Sequence, residues 1–278
     1  MDRQQKSNGA SALIVEGGAM RGIFAAGVLD KFLEQNYRPF DFCIGVSAGS
    51  TNLAAWLANQ HGRSYRVITD YSCRPEFIDL YRFIKGGHWL DLDWLWDITI
   101  DEIEIDRETL ENQPIPLYVV TTKVNTGEAA YIQATAENLN DLLKASCSVP
   151  IAYRHYPEIL GEAMTDGGVA DSIPVIKAYE MGARDITVVL SRPRGYRKSA
   201  PRSTWLVKKL LSDTPVLAEA MLQRAESYNR AIDFIDNPPE DCKITVIAPP
   251  DDFVVGRVTT DKEKLDLGYR QGITASNL

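Results

Sequence analysis

The chain has 278 residues, of which 45% are hydrophobic, and its 38 acids outnumber 30 Lys and Arg for a formal net charge of −8. That length and apolar share support one large α/β core with room for an appendage. The acidic balance excludes a general nucleic-acid binder, which needs a basic face for phosphates, and no window reaches the ~20 apolar residues of a membrane-spanning helix.

The opening "MDRQQKSNGASALIVEGG" is polar and then strand-like. It lacks the basic start, apolar run and small-residue cleavage site of a secretory leader, so a cytoplasmic protein is expected. "SALIVEGG" (11–18) reads as a buried strand entering a glycine loop, and "RGIFAAGVLDKFLEQN" places Ile23, Val28, Leu29, Phe32 and Leu33 at helical spacing. "DFCIGV" is the next strand and "SAGSTNLAAWLANQ" the helix beyond it. Two strand-loop-helix units in succession predict a parallel sheet covered by helices. Further strands are predicted at 116–124, 183–191 and 242–250, and a helical stretch at 204–235 breaks at Pro215. Cys43, Cys73, Cys147 and Cys242 are scattered without C-x-x-C spacing and read as reduced thiols.

Three motifs carry chemistry. In "EGGAMRG", Gly17 and Gly18 follow a strand and precede a helix, a setting that turns backbone N–H groups toward an anion. Both a phosphate loop and an oxyanion hole use it. A dinucleotide fingerprint wants G-x-G-x-x-G and an acid ending the second strand; here the third position is Ala19, and Asp41 starts its strand. In "FDFCIGVSAGS", Gly45, Ser47 and Gly49 form G-x-S-x-G, the signature of a serine on a strand-to-helix elbow. The flanking glycines answer crowding, since a Cβ at either would clash with neighbouring backbone. In "AMTDGGVADSIPV", Asp166 precedes Gly167 and Gly168 on what reads as a loop after a short strand, with a plain turn as the competing reading.

Taken together, the loop "GGAMRG", the elbow "GVSAG", the segment "KASCSVPIAYRHY", the block "DGGVADSIPV" and "YEMGARDITVVL" resemble a bacterial patatin-like phospholipase, over residues 11–191. The resemblance implies a three-layer α/β/α sandwich with a mainly parallel central sheet. It implies a Ser-Asp dyad, with Ser47 as nucleophile and Asp166 as general base, and no catalytic histidine. Gly17, Gly18 and Ala19 would form the oxyanion hole with Arg21 in the loop's basic position, while Gly22, Gly45, Gly49, Gly167 and Gly168 support the motifs. Ala19 departs from the family's third glycine; it still donates its N–H, on the expectation that its φ stays negative. The implied substrate is an acyl lipid or other carboxylic ester, and neither metal nor cofactor is called for. A short-chain esterase or thioesterase is the alternative within enzymes, and a nucleotide-binding protein using "EGGAMRG" the alternative outside them.

The implied organisation is a catalytic core over 9–200, with a Trp-rich insertion around 86–106, and a mostly helical extension over 201–278 that adds one strand and packs on the core. The insertion carries Trp89, Trp94 and Trp96, read either as a lid or lipid-contacting surface or as rings packed on the body. Residues 192–209 hold seven Lys or Arg and no acid, read either as a contact for anionic headgroups, which would be peripheral at the inner face of a membrane, or as a solvated loop and helix face. His61 reads as a helix C-terminal residue, His88 lies in the insertion and His155 near the active edge; Asp70, Glu162 and Asp171 read as solvated or capping acids. The sequence does not set an oligomeric state.

Overall fold

A computed structural model describes residues 9–201 and 203–276. The first strand, β1 (Ala10–Val15), leads through a short 3-10 turn into α1 (Gly22–Glu34); β2 (Phe42–Val46) leads directly into α2 (Ala48–Leu57). Four short helices follow, α3 (Arg63–Arg66), α4 (Leu80–Ile84), α5 (Leu92–Ile103) and α6 (Arg107–Asn112). Then come β3 (Leu117–Lys123), β4 (Ala129–Gln133), α7 (Leu139–Cys147), β5 (Glu158–Ile159), β6 (Glu162–Asp166), α8 (Val175–Glu180) and β7 (Ala183–Val189). The chain closes with α9 (Thr204–Leu210), α10 (Pro215–Asp236), β8 (Lys243–Ile247) and α11 (Lys262–Ala275).

The sheet runs β5-β6-β3-β2-β1-β7-β8, with β4 also on β3. Strands β3, β2, β1, β7 and β8 pair parallel, whereas β4 and β6 pair antiparallel to β3. Strand side chains alternate between faces, so β1 divides the core. Leu13 and Val15 pack with α1, α2 and α7 residues such as Phe24, Leu53 and Leu142. Ala12 and Ile14 pack on the other face with Val175, Tyr228, Ile232 and Ile235 of α8 and α10. The result is a three-layer α/β/α arrangement, and both faces of β2 are buried, which is why "FCIGV" is apolar without alternation.

Residues beyond Leu190 are woven into this body. Strand β8 extends the sheet beside β7, α10 lies on one face, and α11 crosses α1 at a glycine pair. A Cβ added at Gly272 would stand 3.0 Å from the Phe24 carbonyl carbon, so the two helix backbones touch without side chains between them. Tyr269 donates from its hydroxyl to Asp30 on α1 at 2.7 Å. The helix break falls at Pro215, the first residue of α10.

The structure corrects two local expectations. Helix α2 stops at Leu57, and Asn59 at φ +58° turns the chain, so His61 lies beyond the helix, 3.3 Å from Glu34. Asp166 is the last residue of β6 rather than a loop residue, and it sits opposite Thr121 of β3. The indoles of the insertion are half-buried on the body: Trp94 joins a cluster around Leu92, Leu95 and Tyr153, and Trp96 donates to the Asn140 carbonyl at 3.0 Å.

Candidate active site

Three strand ends meet at one place. β1 delivers Glu16 to Ala19, β2 delivers Ser47, and β6 delivers Asp166. The carboxyl ends of the parallel strands β1 and β2, beside the point between β1 and β7 where the strand order reverses, are where α/β sheets open to ligands, and the antiparallel β6 brings Asp166 to them.

Ser47 has φ +52° and ψ −127°, a conformation that costs a non-glycine residue about 1–3 kcal/mol and persists only where neighbours over-determine it. They do so here. The Ser47 N–H donates to Ser146 Oγ at 2.8 Å, and that hydroxyl donates onward to the Val120 carbonyl at 2.6 Å. The Ser47 carbonyl accepts from Ser50 Oγ at 2.6 Å and from the Ser50 N–H at 2.9 Å. The crowding foreseen at the elbow is real: a Cβ on Gly45 would stand 2.5 Å from Ser50 Cα, and one on Gly49 2.8 Å from the Glu16 carbonyl oxygen. Glycine at both positions lets β1, β2 and α2 close around the serine.

Asp166 is buried at 5% exposure. Its carboxylate accepts the Gly168 N–H at 2.7 Å, and its own N–H donates to the Ser148 carbonyl at 3.0 Å. Burial raises its pKa above the ordinary carboxylate value, against the opposing pull of Arg224, the Ser47 hydroxyl, the Gly168 N–H and Arg257. Cys147 lies beside both Ser47 and Asp166, and burial holds its thiol protonated.

The glycine loop faces the serine. Gly17 and Gly18 donate their N–H groups to no other atom of the described residues. Ala19 has φ +50°, which overturns the expectation of a negative φ. The third loop position demands the left-handed region, where a Cβ costs roughly 1–2 kcal/mol, and a glycine would satisfy it without strain. Arg21 is 3% exposed behind the loop, lines neither cavity described below, and donates its N–H back to the Gly18 carbonyl. It therefore stands apart from the Ser47 side of the loop. Gly22 begins α1 and is tied to α2 by Asn52, whose side-chain amide donates to the Gly22 carbonyl at 2.8 Å. Gly167 turns tightly over Val120, and Gly168 lies under the Arg224 guanidinium.

Two cavities meet at Ser47 and Ala19. The larger, about 1040 Å³, is mainly apolar, walled by Met20, Ile68, Leu92, Leu95, Trp96 and Leu143 among others. The smaller, about 400 Å³, holds Gly17, Gly18, Ser47, Asp166, Ser172, Arg224 and Arg257. Sequence reading passed over Arg224, Arg257, Ser146 and Ser172, which join the site only through the fold.

The histidines lie elsewhere. His88, Asp93 and His155 form the one grouping among the described residues whose ligand-type atoms all fall within 4.8 Å of one another. Arg154 N–H donates to His88 Nδ1 at 3.1 Å, and Tyr153 and Lys144 bind Asp93 Oδ1, while His88 Nε2 and His155 Nδ1 each lie 3.8 Å from Asp93 Oδ2. Of the remaining acids, Asp70 and Glu162 pair with Lys262 and Lys123 on the surface. Asp171 caps the Ile173 N–H and is held by the Tyr131 hydroxyl at 2.7 Å, with burial raising its pKa.

The chain belongs to the patatin-like phospholipase family, whose model matches residues 13–179. Residues 214–277 match a second family, described as a domain of unknown function, DUF6363. A relative, the uncharacterized protein YjjU of Escherichia coli (strain K12), is 34% identical over 247 residues, covering 87% of this chain and 69% of its own. The crystal structure of VipD from Legionella pneumophila is similar over 98% of this chain and 68% of that one, at 12% identity and a TM-score of 0.48. Family membership supports a hydrolase of acyl lipids at that general level. No helix among the described residues is long and apolar enough to cross a membrane.

Proposed function

We propose that this chain is a serine acyl hydrolase of lipid esters, with Ser47 as nucleophile and Asp166 as its general base. The observation that carries the reading is the strained Ser47 facing a buried carboxylate and two free backbone N–H groups at one cavity junction. Asp166 takes the hydroxyl proton as Ser47 Oγ bonds to the ester carbonyl carbon. The developing oxyanion is met by the N–H groups of Gly17, Gly18 and Ala19, each donor of this kind being worth about 3 kcal/mol. Collapse breaks the ester bond, and the leaving alcohol takes the proton from Asp166. A water deprotonated by Asp166 then releases the acid. An ordinary aspartate, near ~3.9, is a weak base for this task, and burial moves Asp166 in the useful direction.

The apolar cavity beside Ser47 is the acyl site in this reading, its lining of Met20, Ile68, Leu92, Leu95 and Leu143 suited to a hydrocarbon chain; a chain-length series of p-nitrophenyl esters separates a lipid hydrolase from a short-chain esterase or thioesterase. Peripheral contact with a lipid surface is part of the proposal. It is supported by α9, where Trp205, Leu206 and Leu210 are 66%, 45% and 50% exposed beside Lys208 and Lys209. The deciding experiment is labelling with a fluorophosphonate followed by mass spectrometry. Modification confined to Ser47, lost in Ser47→Ala together with ester turnover, is expected; modification elsewhere, or a Ser47→Ala protein that still turns over ester, refutes the assignment.

A further inference from the structure

Two histidines that the serine chemistry leaves unused meet one carboxylate behind the wall of the apolar cavity. His88 stands between α4 and α5, Asp93 lies in the first turn of α5, and His155 follows α7 on the stretch before β5. One donor atom from each lies within 4.8 Å of the others. His88 Nε2 and His155 Nδ1 share a single neighbour, Asp93 Oδ2, at 3.8 Å each. The group is braced from behind. Asp93 Oδ1 is bound by the Tyr153 hydroxyl at 2.8 Å and the Lys144 ammonium at 2.5 Å, which leaves Oδ2 to the two imidazoles. The Tyr153 ring stacks on His88 with centroids 4.5 Å apart, and His155 meets His88 edge-on at 4.6 Å. Arg82 Nε donates to the His88 carbonyl at 2.9 Å, and the Trp89 and Leu90 N–H groups share the Ala152 carbonyl at 2.8 and 3.1 Å. A carboxylate ligand that is itself hydrogen-bonded is the usual outer shell of a metal centre. The His155 side chain is 68% exposed, so an ion can enter and keep water in a remaining position.

Two imidazole nitrogens and one carboxylate oxygen select a borderline transition-metal ion over Mg²⁺ or Ca²⁺, which take oxygen donors. Four-coordinate Zn²⁺, with bonds of about 2.0–2.2 Å, holds neighbouring donors about 3.4 Å apart. The two 3.8 Å separations must therefore close by about 0.4 Å, and the widest, at most 4.8 Å, by no more than about 1.4 Å, a movement open to His155 on its exposed stretch. Binding at His88 Nε2 has one local cost. Arg154 donates its N–H to Nδ1 at 3.1 Å, so the neutral ring carries its proton on Nε2, facing Asp93. The ion takes that nitrogen once the proton has moved to Nδ1 and the Arg154 N–H has turned away, one hydrogen bond lost against three bonds to the metal.

We propose that His88, Asp93 and His155 bind one Zn²⁺ ion, with water completing the coordination, and that the ion ties the insertion to the stretch after α7. The role is structural. None of the three lines either cavity at Ser47, whereas their neighbours Leu90, Leu92 and Leu95 wall the apolar one, which the ion fixes from outside. This role is independent of ester hydrolysis.

The test uses the full chain, stripped of metal by a chelator and dialysed, with a Zn²⁺ salt titrated calorimetrically near neutral pH. One ion per chain is expected, bound about 100-fold or more weakly in His155→Ala and in His88→Ala and unchanged in His61→Ala. His155→Ala, at an exposed position, reports even where His88→Ala folds poorly. Mg²⁺ at the same concentration should give no binding heat. Co²⁺ in place of Zn²⁺ should give a visible ligand-field band without the charge-transfer band of a thiolate ligand. At Zn²⁺ about a hundredfold above Kd, Tm should rise by roughly 5 °C in the wild type and not in His155→Ala. Hydrogen exchange reads the tie: Zn²⁺ should slow amide exchange across 86–106 and speed it at Arg154. No binding at submillimolar Zn²⁺, binding that survives both histidine variants or is lost in His61→Ala, or a thiolate band refutes the site. Binding with unchanged exchange in the insertion refutes the tie.

Discussion

Replacing Gly17 by alanine isolates the contact between the glycine loop and the serine. The new Cβ would stand 2.7 Å from the Val46 carbonyl oxygen and 2.9 Å from Ser47 Cβ, where ordinary contact begins at 3.4 Å. The loop must therefore retreat by about 0.7 Å, because Val46 belongs to a fully buried strand and Ser47 is fixed by four hydrogen bonds. Overpacking of this kind costs about 1–3 kcal/mol, which for a chain of this length lowers Tm by roughly 2–5 °C. The larger effect falls on turnover. Gly17 and Gly18 are the proposed oxyanion donors, and a displacement approaching 1 Å in a catalytic group costs about 10²-fold. We expect kcat/KM for a p-nitrophenyl ester to fall about 100-fold, mainly in kcat, with a scanning-calorimetry shift of a few degrees. Gly182→Ala is the comparison, since its φ is +96° with nothing within 4 Å of the added methyl; it should lose about 1 kcal/mol of stability and no activity. If Gly17→Ala kept kcat/KM within threefold while Tm fell, the loop would not be the oxyanion hole.

Four further outcomes follow from the same geometry. Asp166 has its pKa raised by burial, so its ionised form burdens the fold above that pKa and the burden lifts as pH falls through it toward the ordinary 3.8; Asp166→Asn should raise Tm at pH 7 while abolishing turnover, and the acid limb of wild-type kcat/KM should lie above 3.8. A limb at or below 3.8, or an active Asn variant, contradicts the base assignment. Lys198 falls to about 6 from 10.5 under burial and the charges of Arg224, Arg257 and Arg21, opposed by Glu16, so Lys198→Met should stabilise most below pH 6 and progressively less toward pH 10.5, and a gain that is flat over that window by thermal melts counts against it. Ser146→Ala strands the Ser47 N–H and should cost about 1–3 kcal/mol in denaturant melts along with a drop in kcat; an unchanged melt would show the elbow needs no such prop. Replacing Trp205 and Leu206 by serine should reduce co-sedimentation with anionic liposomes while leaving hydrolysis of a soluble ester intact, and equal sedimentation would remove α9 from the membrane contact.

The parallel strands were legible because both their faces are buried and their residues run apolar without interruption, as in "ALIV" and "FCIGV". Strand β4 escaped notice because "AAYIQ" lies half-exposed at an edge, although its turn carried a signal in Gly127 at φ +72°. The turns that carry the candidate residues Ser47 and Asp166 were legible through their glycines, whose absence of a Cβ is what allows strand ends to crowd together. The expectation of a negative φ at Ala19 fails because residue type alone does not set the backbone angle, which the loop holds at +50°. The arginines were invisible for another reason. Arg224 and Arg257 sit in ordinary polar surroundings along the chain, and only the docking of α10 and of the segment after β8 carries them to Ser47.

The position of β1 bears on how the chain is made. Its two neighbours are β2, which emerges from the ribosome within about thirty residues, and β7, which begins only at Ala183. Throughout most of synthesis, the apolar run Ala12 to Val15 presents one open edge to whatever strand is near. Fragments ending before β7 should therefore collect in inclusion bodies, and yield should depend on chaperone supply until residue 189 has been released.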